Sequence, residues 1–187
     1  RQRQMCIRDR IKTGKWDYVV LQDQSQVPSL PGQLVKSFHE SSDTLDKRIR
    51  AAGAKTVFFL TWGRRDGDKR NKAINPTFEK MQERLSASYR GAAVRLKAGV
   101  APAGEAFGVI KKKHPNLFPK LYKKDGSHPA GLGAHAAAYA FHAAIVGTVP
   151  TEHAKQKGGD LPKVAAAVTE ALEVARKMSP ANKEAAT

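Results

Sequence analysis

Short apolar runs alternate with amphipathic stretches along most of the chain. Runs rich in β-branched and aromatic residues predict strands at about residues 17–22, 55–61 and 98–102. Apolar residues at helical spacing predict helices over residues 33–52 and 75–96, the second opening on Asn75 as the cap with Pro76 after it. The uninterrupted apolar strands are typical of a sheet covered on both faces. The pattern therefore predicts an α/β protein with a parallel sheet in a three-layer α/β/α arrangement.

The pattern changes at both ends of the chain. Residues 1–10 show neither a helical nor a strand period and resemble translated adaptor sequence, so we expect a non-native or disordered leader. Residues 11–150 form the predicted domain, and the small apolar run at 131–145 predicts a buried helix. Residues 151–187 are expected to hold a polar linker, an amphipathic helix from about residue 160, and a frayed end.

Charge adds a question about partners. The 187 residues carry 33 Lys+Arg against 17 Asp+Glu, a net charge of +16, which invites a nucleic-acid or anionic-surface interpretation. Aromatics are 7% and do not interleave with the basic residues, so we expect no specific nucleic-acid partner. Basic clusters at 64–72, 111–113 and 120–124 flank the candidate site described below, which leaves an anionic substrate or matrix open.

Several classes of site and location find no support in the sequence. The single Cys6 excludes an internal disulfide and a cysteine metal cluster, and His135 and His142 stand seven apart without a carboxylate partner, so we expect no metal and no cofactor. No apolar run reaches the roughly 20 residues that span a bilayer, so no membrane partner is expected. The compartment stays open, because an extracellular or periplasmic export signal would lie in a missing N-terminal part.

The candidate chemistry lies in the turn DGSHP before the predicted buried helix. Asp125 and His128 stand three apart, so a carboxylate and an imidazole meet at a helix entrance. In a hydrolase, such a pair supplies the base and the acid that orients it. The structural alternative is that Asp125 starts a turn and His128 caps the helix.

Four segments give that pair a context: WDYVVLQDQSQVP at 16–28, TWGRRDGD at 61–68, VAPAGEAF at 100–107 and DGSHPAGLGAHAAAYAFHAAI at 125–145. In this order they resemble landmarks of the SGNH/GDSL hydrolase superfamily, in its carbohydrate-esterase-like branch. The resemblance implies a flavodoxin-like sheet, with His128 as base and Asp125 as its orienting acid. The family's Gly-Asp-Ser or Gly-Asn-Ser motif is absent from the sequence, so we expect the first strands to be missing and the sheet to be incomplete.

The resemblance also suggests residues that line the site. Gln24, with Gln22 as second choice, would replace the family's asparagine as an oxyanion donor, although a turn role is equally compatible. Trp62, with Gly63 beside it, is either a lid over the core or a platform for a sugar ring.

Together these features predict an SGNH-type serine esterase, acetylesterase-like, that hydrolyses acyl esters with an Asp-x-x-His pair. Its substrate would be a small-molecule or polysaccharide ester, and the chain as it stands is expected to be inactive without its nucleophile. The alternative is a non-catalytic module that binds carbohydrate or an anionic polymer.

Overall fold

A three-stranded parallel sheet lies at the centre of the fold. The computed structural model describes residues 2–178, with side chains from residue 7 to residue 177. Strands β1 (Tyr18–Leu21), β2 (Lys55–Phe59) and β3 (Gly99–Ala101) follow one another in the order β1-β2-β3. Val20 pairs with Val57, and Phe58 pairs with Val100. The carboxyl ends of the strands therefore meet at one edge of the sheet.

Helices connect and cover the strands. They are α1 (Gln2–Thr13), α2 (Gln33–Ala51), α3 (Phe78–Leu96), α4 (Ala103–Lys113), α5 (Gly131–Val146), α6 (Thr151–Lys157) and α7 (Leu161–Met178). A 3₁₀ turn at Phe118–Leu121 interrupts the long segment between α4 and α5.

Side chains on opposite faces of β2 build two separate cores. Phe58 packs with buried residues of α2 and α3, whereas its neighbour Val57 packs with buried residues of α4, α5, α6 and α7. Both side chains are almost fully buried. Because each face of the sheet carries its own helical layer, the predicted three-layer α/β/α arrangement with a parallel sheet is confirmed.

Residues 1–10 were expected to lack regular structure, yet α1 covers nearly all of them. The segment is rich in Arg and Gln, which favour a helix by propensity without producing an apolar stripe. Ile11 anchors the helix because it packs with Ile49 and Ala54 in a small satellite core. The periodicity criterion missed α1, because among its side chains at residues 7–13 Ile11 alone is buried.

Two further expectations need correction. The predicted linker at 151–160 contains α6, whose Ala154 is fully buried in the larger core and whose His153 contacts the Tyr139 hydroxyl, so tertiary contacts replace a visible stripe. Helix α3 is capped by Thr77, whose hydroxyl accepts from the Lys80 N–H at 3.3 Å. Asn75, the predicted cap, is instead buried and donates to the Ser29 hydroxyl at 2.8 Å. The expected fraying of 179–187 lies outside the described residues.

Strand β1 forms one edge of the sheet in the part of the chain that the structure describes. Val20 and the nearby Trp16 are 42% and 50% exposed there. Between residues 2 and 178, no helix combines the length and apolarity needed to cross a membrane.

Helix α5 approaches the preceding loop so closely that its third residue must be small. A Cβ on the buried Gly133 would lie 2.2 Å from the Leu121 carbonyl oxygen. We predict that Gly133→Ala lowers the free energy of unfolding by about 1–3 kcal/mol, because a backbone atom cannot yield easily. Gly91→Ala on α3 is the control, since a Cβ there meets nothing within 4 Å and should raise stability by up to about 1 kcal/mol. Urea unfolding of both variants measures this, and equal effects would contradict it.

Candidate active site

Three loop segments meet at the carboxyl edge of the sheet. One follows β1, one follows β2, and the third is the turn at residues 125–128 before α5. Ligands of open α/β sheets bind at this edge, so the sequence-predicted side chains lie where chemistry is expected.

Asp125 and His128 contact each other within this turn. The His128 Nδ1 lies 2.7 Å from the Asp125 Oδ2. The other carboxylate oxygen, Oδ1, accepts from the backbone N–H groups of Ser127 at 2.8 Å and His128 at 2.9 Å. An ionised carboxylate can only accept, so it holds the hydrogen of a neutral imidazole on Nδ1 and leaves Nε2 as an acceptor. The pair therefore has the internal geometry of a base with its orienting acid.

The environment keeps Asp125 ionised. The backbone N–H groups of His128 and Ser127, followed by the His128 ring, hold the pKa of the Asp125 carboxyl well below its usual range. Both members of the pair face solvent, with 73% of the His128 side chain and 47% of the Asp125 side chain exposed. His128 does not cap α5, because the cap position belongs to Ala130.

The loop after β2 fixes the position of the turn. The Trp62 indole N–H donates to the Ser127 carbonyl at 3.0 Å, and the Arg65 N–H donates to the Gly126 carbonyl at 2.9 Å. The Trp62 ring stacks on Phe107 with 4.8 Å between centroids and 6° between planes. One face of Trp62 is thus covered by core, as in the lid interpretation, and the indole also holds the turn that carries His128.

A buried carboxylate joins the loops that follow β1 and β2. The Asp68 side chain is fully buried and accepts from the Gln26 amide at 2.6 Å, the Asn71 amide at 2.7 Å and Arg64 at 3.1 Å. The Arg70 N–H adds a further bond at 3.1 Å. Burial works to raise the pKa of Asp68, but these hydrogen bonds and the Arg64 charge outweigh it and lower the pKa. Asp68 is therefore a permanent anion that ties the two loops together.

Gln24 and Gln22 take different positions after β1. The Gln24 amide faces Gln26: its nitrogen donates to the Gln26 Oε1 at 3.0 Å, and its oxygen accepts from the Gln26 N–H at 2.8 Å. Because an amide nitrogen carries two hydrogens, Gln24 keeps one for another acceptor. Gln22 lines a surface pocket together with Trp16 and Val20 of the β1 region. Of the two, Gln24 is the one connected to Asp68, through Gln26.

Gly63 has both backbone groups engaged. Its N–H donates to the Gln82 Oε1 at 2.8 Å, and its carbonyl accepts from the Tyr122 hydroxyl at 2.7 Å. Gly63 therefore contributes no free donor to an oxyanion, and its place is structural: an added Cβ would lie 2.9 Å from the Phe78 carbonyl oxygen.

Sequence reasoning missed two residues that organise this region, Gln26 and Asp68. No local signal in the sequence points to them, because Asp68 lies in a loop, where a spacing of four does not bring side chains together as it does on a helix. Glu105, in the first turn of α4, pairs with Arg90, whose Nε lies 2.6 Å from its Oε1. Within residues 7–177, no three His, Cys, Asp or Glu side chains are grouped to hold a metal ion.

Comparisons with known proteins bear on the fold. No family model matches the chain, and no curated protein matches its sequence. Among solved structures, a proposed SGNH hydrolase from Slackia heliotrinireducens is 23% identical with a TM-score of 0.65, over 78% of this chain and 74% of that one. A DUF4886 family protein from Bacteroides uniformis ATCC 8492 is 19% identical with a TM-score of 0.72, over 89% of this chain and 66% of that one. Likeness at this identity establishes the fold alone, which is SGNH-like.

The Asp68 network generates a stability prediction. Asp68→Ala should lower the free energy of unfolding by about 3 kcal/mol, because it leaves Arg64 and the Gln26 amide without their acceptor. Asp66→Ala, on the same loop but 56% exposed, is the control and should cost less than about 1 kcal/mol. Urea denaturation compares the variants, and a loss at Asp68 no larger than at Asp66 would show that the network does not stabilise the loops.

The Asp125 bonds generate a pH prediction. A ¹³C NMR titration should give the Asp125 carboxyl a pKa below that of an ordinary aspartate. In His128→Ala most of the depression should persist, because the two backbone donors contribute before the imidazole does. By linkage, the stability that Asp125 contributes is present above its unfolded pKa and is lost as the pH falls through its lowered folded pKa. An ordinary pKa in the His128→Ala variant would make the imidazole the main cause instead.

Proposed function

We propose that this domain belongs to a serine-type acyl-ester hydrolase in which His128 is the general base and Asp125 orients it. The 2.7 Å contact between the His128 Nδ1 and the Asp125 carboxylate carries the proposal. It leaves Nε2 exposed at the edge of an SGNH-like fold where ligands of α/β sheets bind.

In the proposed reaction, His128 Nε2 takes the proton of a serine hydroxyl as its oxygen attacks the ester carbonyl. The tetrahedral oxyanion is bound by hydrogen-bond donors, and the free N–H of the Gln24 amide is our candidate among them. His128 then gives the proton to the leaving alcohol, and an acyl-serine remains. Water, deprotonated by the same Nε2, releases the acid and restores the serine.

The serine of this scheme is not assigned to the described residues. Between residues 7 and 177, no serine hydroxyl is hydrogen-bonded to the His128 ring. Ser29, Ser42 and Ser88 each donate to a backbone carbonyl elsewhere. Ser127 lies between the two members of the pair and would have to turn back on its own neighbours. We therefore propose that this chain alone lacks enzyme-like turnover and that the nucleophile comes from sequence beyond it.

The test is an aryl acetate assay combined with labelling by a serine-directed organophosphate. We predict no labelling of this chain, and labelling at one serine when the chain is extended upstream in its own reading frame. In the extended protein, His128→Ala should lower kcat by about 10⁴-fold or more, and Asp125→Asn by about 10⁴-fold, because an asparagine favours the wrong tautomer.

His135→Ala is the matched control, since His135 is an exposed histidine on α5 bonded to the Gly131 carbonyl. It should leave kcat unchanged. Stoichiometric labelling of the present chain at any serine, with turnover lost in His128→Ala, would mean that the nucleophile is one of this chain's own serines. Turnover that survives His128→Ala in the extended protein would remove the base from the proposal.

A binding module is the second candidate, because an exposed His128 without a serine partner is also what a non-catalytic surface would present. It predicts that the extended protein still binds carbohydrate or anionic polymer but neither turns over esters nor accepts the organophosphate. The assay above therefore separates the two candidates.

A further inference from the structure

Basic residues lie near the turn at residues 125–128, and the proposed acid-base chemistry of Asp125 and His128 does not use them. Lys123 and Lys124 directly precede Asp125 and are exposed. The backbone of Lys123 closes the turn, since its N–H donates to the His128 carbonyl at 2.8 Å and its carbonyl accepts from the Gly126 N–H at 3.0 Å. The turn is therefore preceded directly by two exposed lysines, the first of which is fixed through its backbone.

The loop after β2 brings further cations to the turn. The Arg65 Cζ lies 3.5 Å from where a Cβ of Gly126 would stand. Arg65 pairs with Asp66 at 2.7 Å, and this bond, with smaller effects of Lys69 and Lys111, lowers the pKa of Asp66. Arg65, Lys69 and Lys111 act on the Asp66 carboxylate, and the Asp66 Oδ2 lies 3.4 Å from where a Cβ of Gly126 would stand, so these cations lie near the turn.

The acidic residues of this region are already occupied. Asp66 is paired with Arg65, and Asp125 is bonded to His128 and to two backbone N–H groups. Within residues 7–177, Lys69, Lys123 and Lys124 form no ion pair. An excess positive charge therefore remains at the turn, where an ester would have to approach His128.

We propose that the site takes esters of acidic carbohydrates, with Lys123, Lys124 and Lys69 binding a sugar carboxylate next to the scissile ester. This substrate class rests on the proposed function of the dyad. A single-stranded nucleic acid is disfavoured, because such ligands stack bases on exposed aromatic rings. Among the described residues, the large aromatic side chain that is exposed is Trp16, which lies beside β1.

The experiment measures binding by ¹H–¹⁵N NMR with trigalacturonate, cellotriose and a twelve-residue oligothymidylate as probes. Trigalacturonate should shift the amides of residues 126–128, and its affinity should fall as salt rises, because exposed charges are screened beyond about 10 Å at 0.1 M. Lys123→Gln/Lys124→Gln should raise its Kd by roughly three- to tenfold, the range expected of exposed charge pairs.

Lys155→Gln/Lys157→Gln removes the same charge from α6 and is the control. Helix α6 follows the far end of α5, roughly 24 Å along a 16-residue helix, so the Kd should not change. The proposal is overturned if trigalacturonate leaves the turn amides unmoved, if cellotriose binds there equally well, or if both double variants behave alike. Tighter binding of oligothymidylate at the same amides would overturn it in favour of nucleic acid.

Failure of this inference differs from failure of the proposed function. The readout is binding, so the absence of a nucleophile from this chain does not affect it. If the extended protein hydrolyses neutral and acidic esters equally well, the hydrolase stands and the substrate class falls.

Discussion

The buried Asp68 carboxylate is the interaction on which the candidate site depends. Its partners come from two loops that are far apart in sequence, with Gln26 after β1 and Arg64 after β2. The next residue, Arg65, binds the turn that carries His128 through a backbone bond. Burying a charge costs free energy unless hydrogen bonds satisfy it, so the loss of any hydrogen-bond partner of Asp68 should destabilise the two loops. Asp68 thus fixes the loop after β2, and that loop positions the turn through Trp62 and the Arg65 backbone.

Much of the fold could be predicted because β2 and β3 carry strong local signals. Val57 and Phe58 are consecutive in β2 and must face opposite sides of the sheet. Each packs against its own layer of helices, as the uninterrupted apolar run implied. Helices α1 and α6 could not be predicted, because each has a single buried residue, Ile11 or Ala154, among the side chains that the structure describes, and one residue creates no period. Hydrophobic periodicity identifies helices that bury a whole apolar face and does not identify helices that bury one side chain.

For the candidate site, contacts between residues close in sequence could be predicted, whereas contacts between distant segments could not. Asp125 and His128 are three residues apart, and a turn brings such neighbours together whatever the rest of the chain does. The bond from Gln26 to Asp68 spans 42 residues, and no spacing in the sequence indicates it. Trp62 shows why its two interpretations, as a lid over the core or as a platform for a sugar ring, could not be separated from the sequence. Its stacking partner Phe107 and its acceptor Ser127 come from different later segments.

The turn interpretation and the catalytic interpretation of Asp125 are compatible in physical terms. The carboxylate oxygen that accepts from the Ser127 and His128 N–H groups builds the turn, while the other oxygen orients the imidazole. Those backbone bonds require no nucleophile, so the pair keeps its geometry whether or not a nucleophile lies beside it. Catalysis therefore requires more than this pair. What decides it is whether a hydroxyl reaches Nε2, the ring atom that the turn leaves unoccupied.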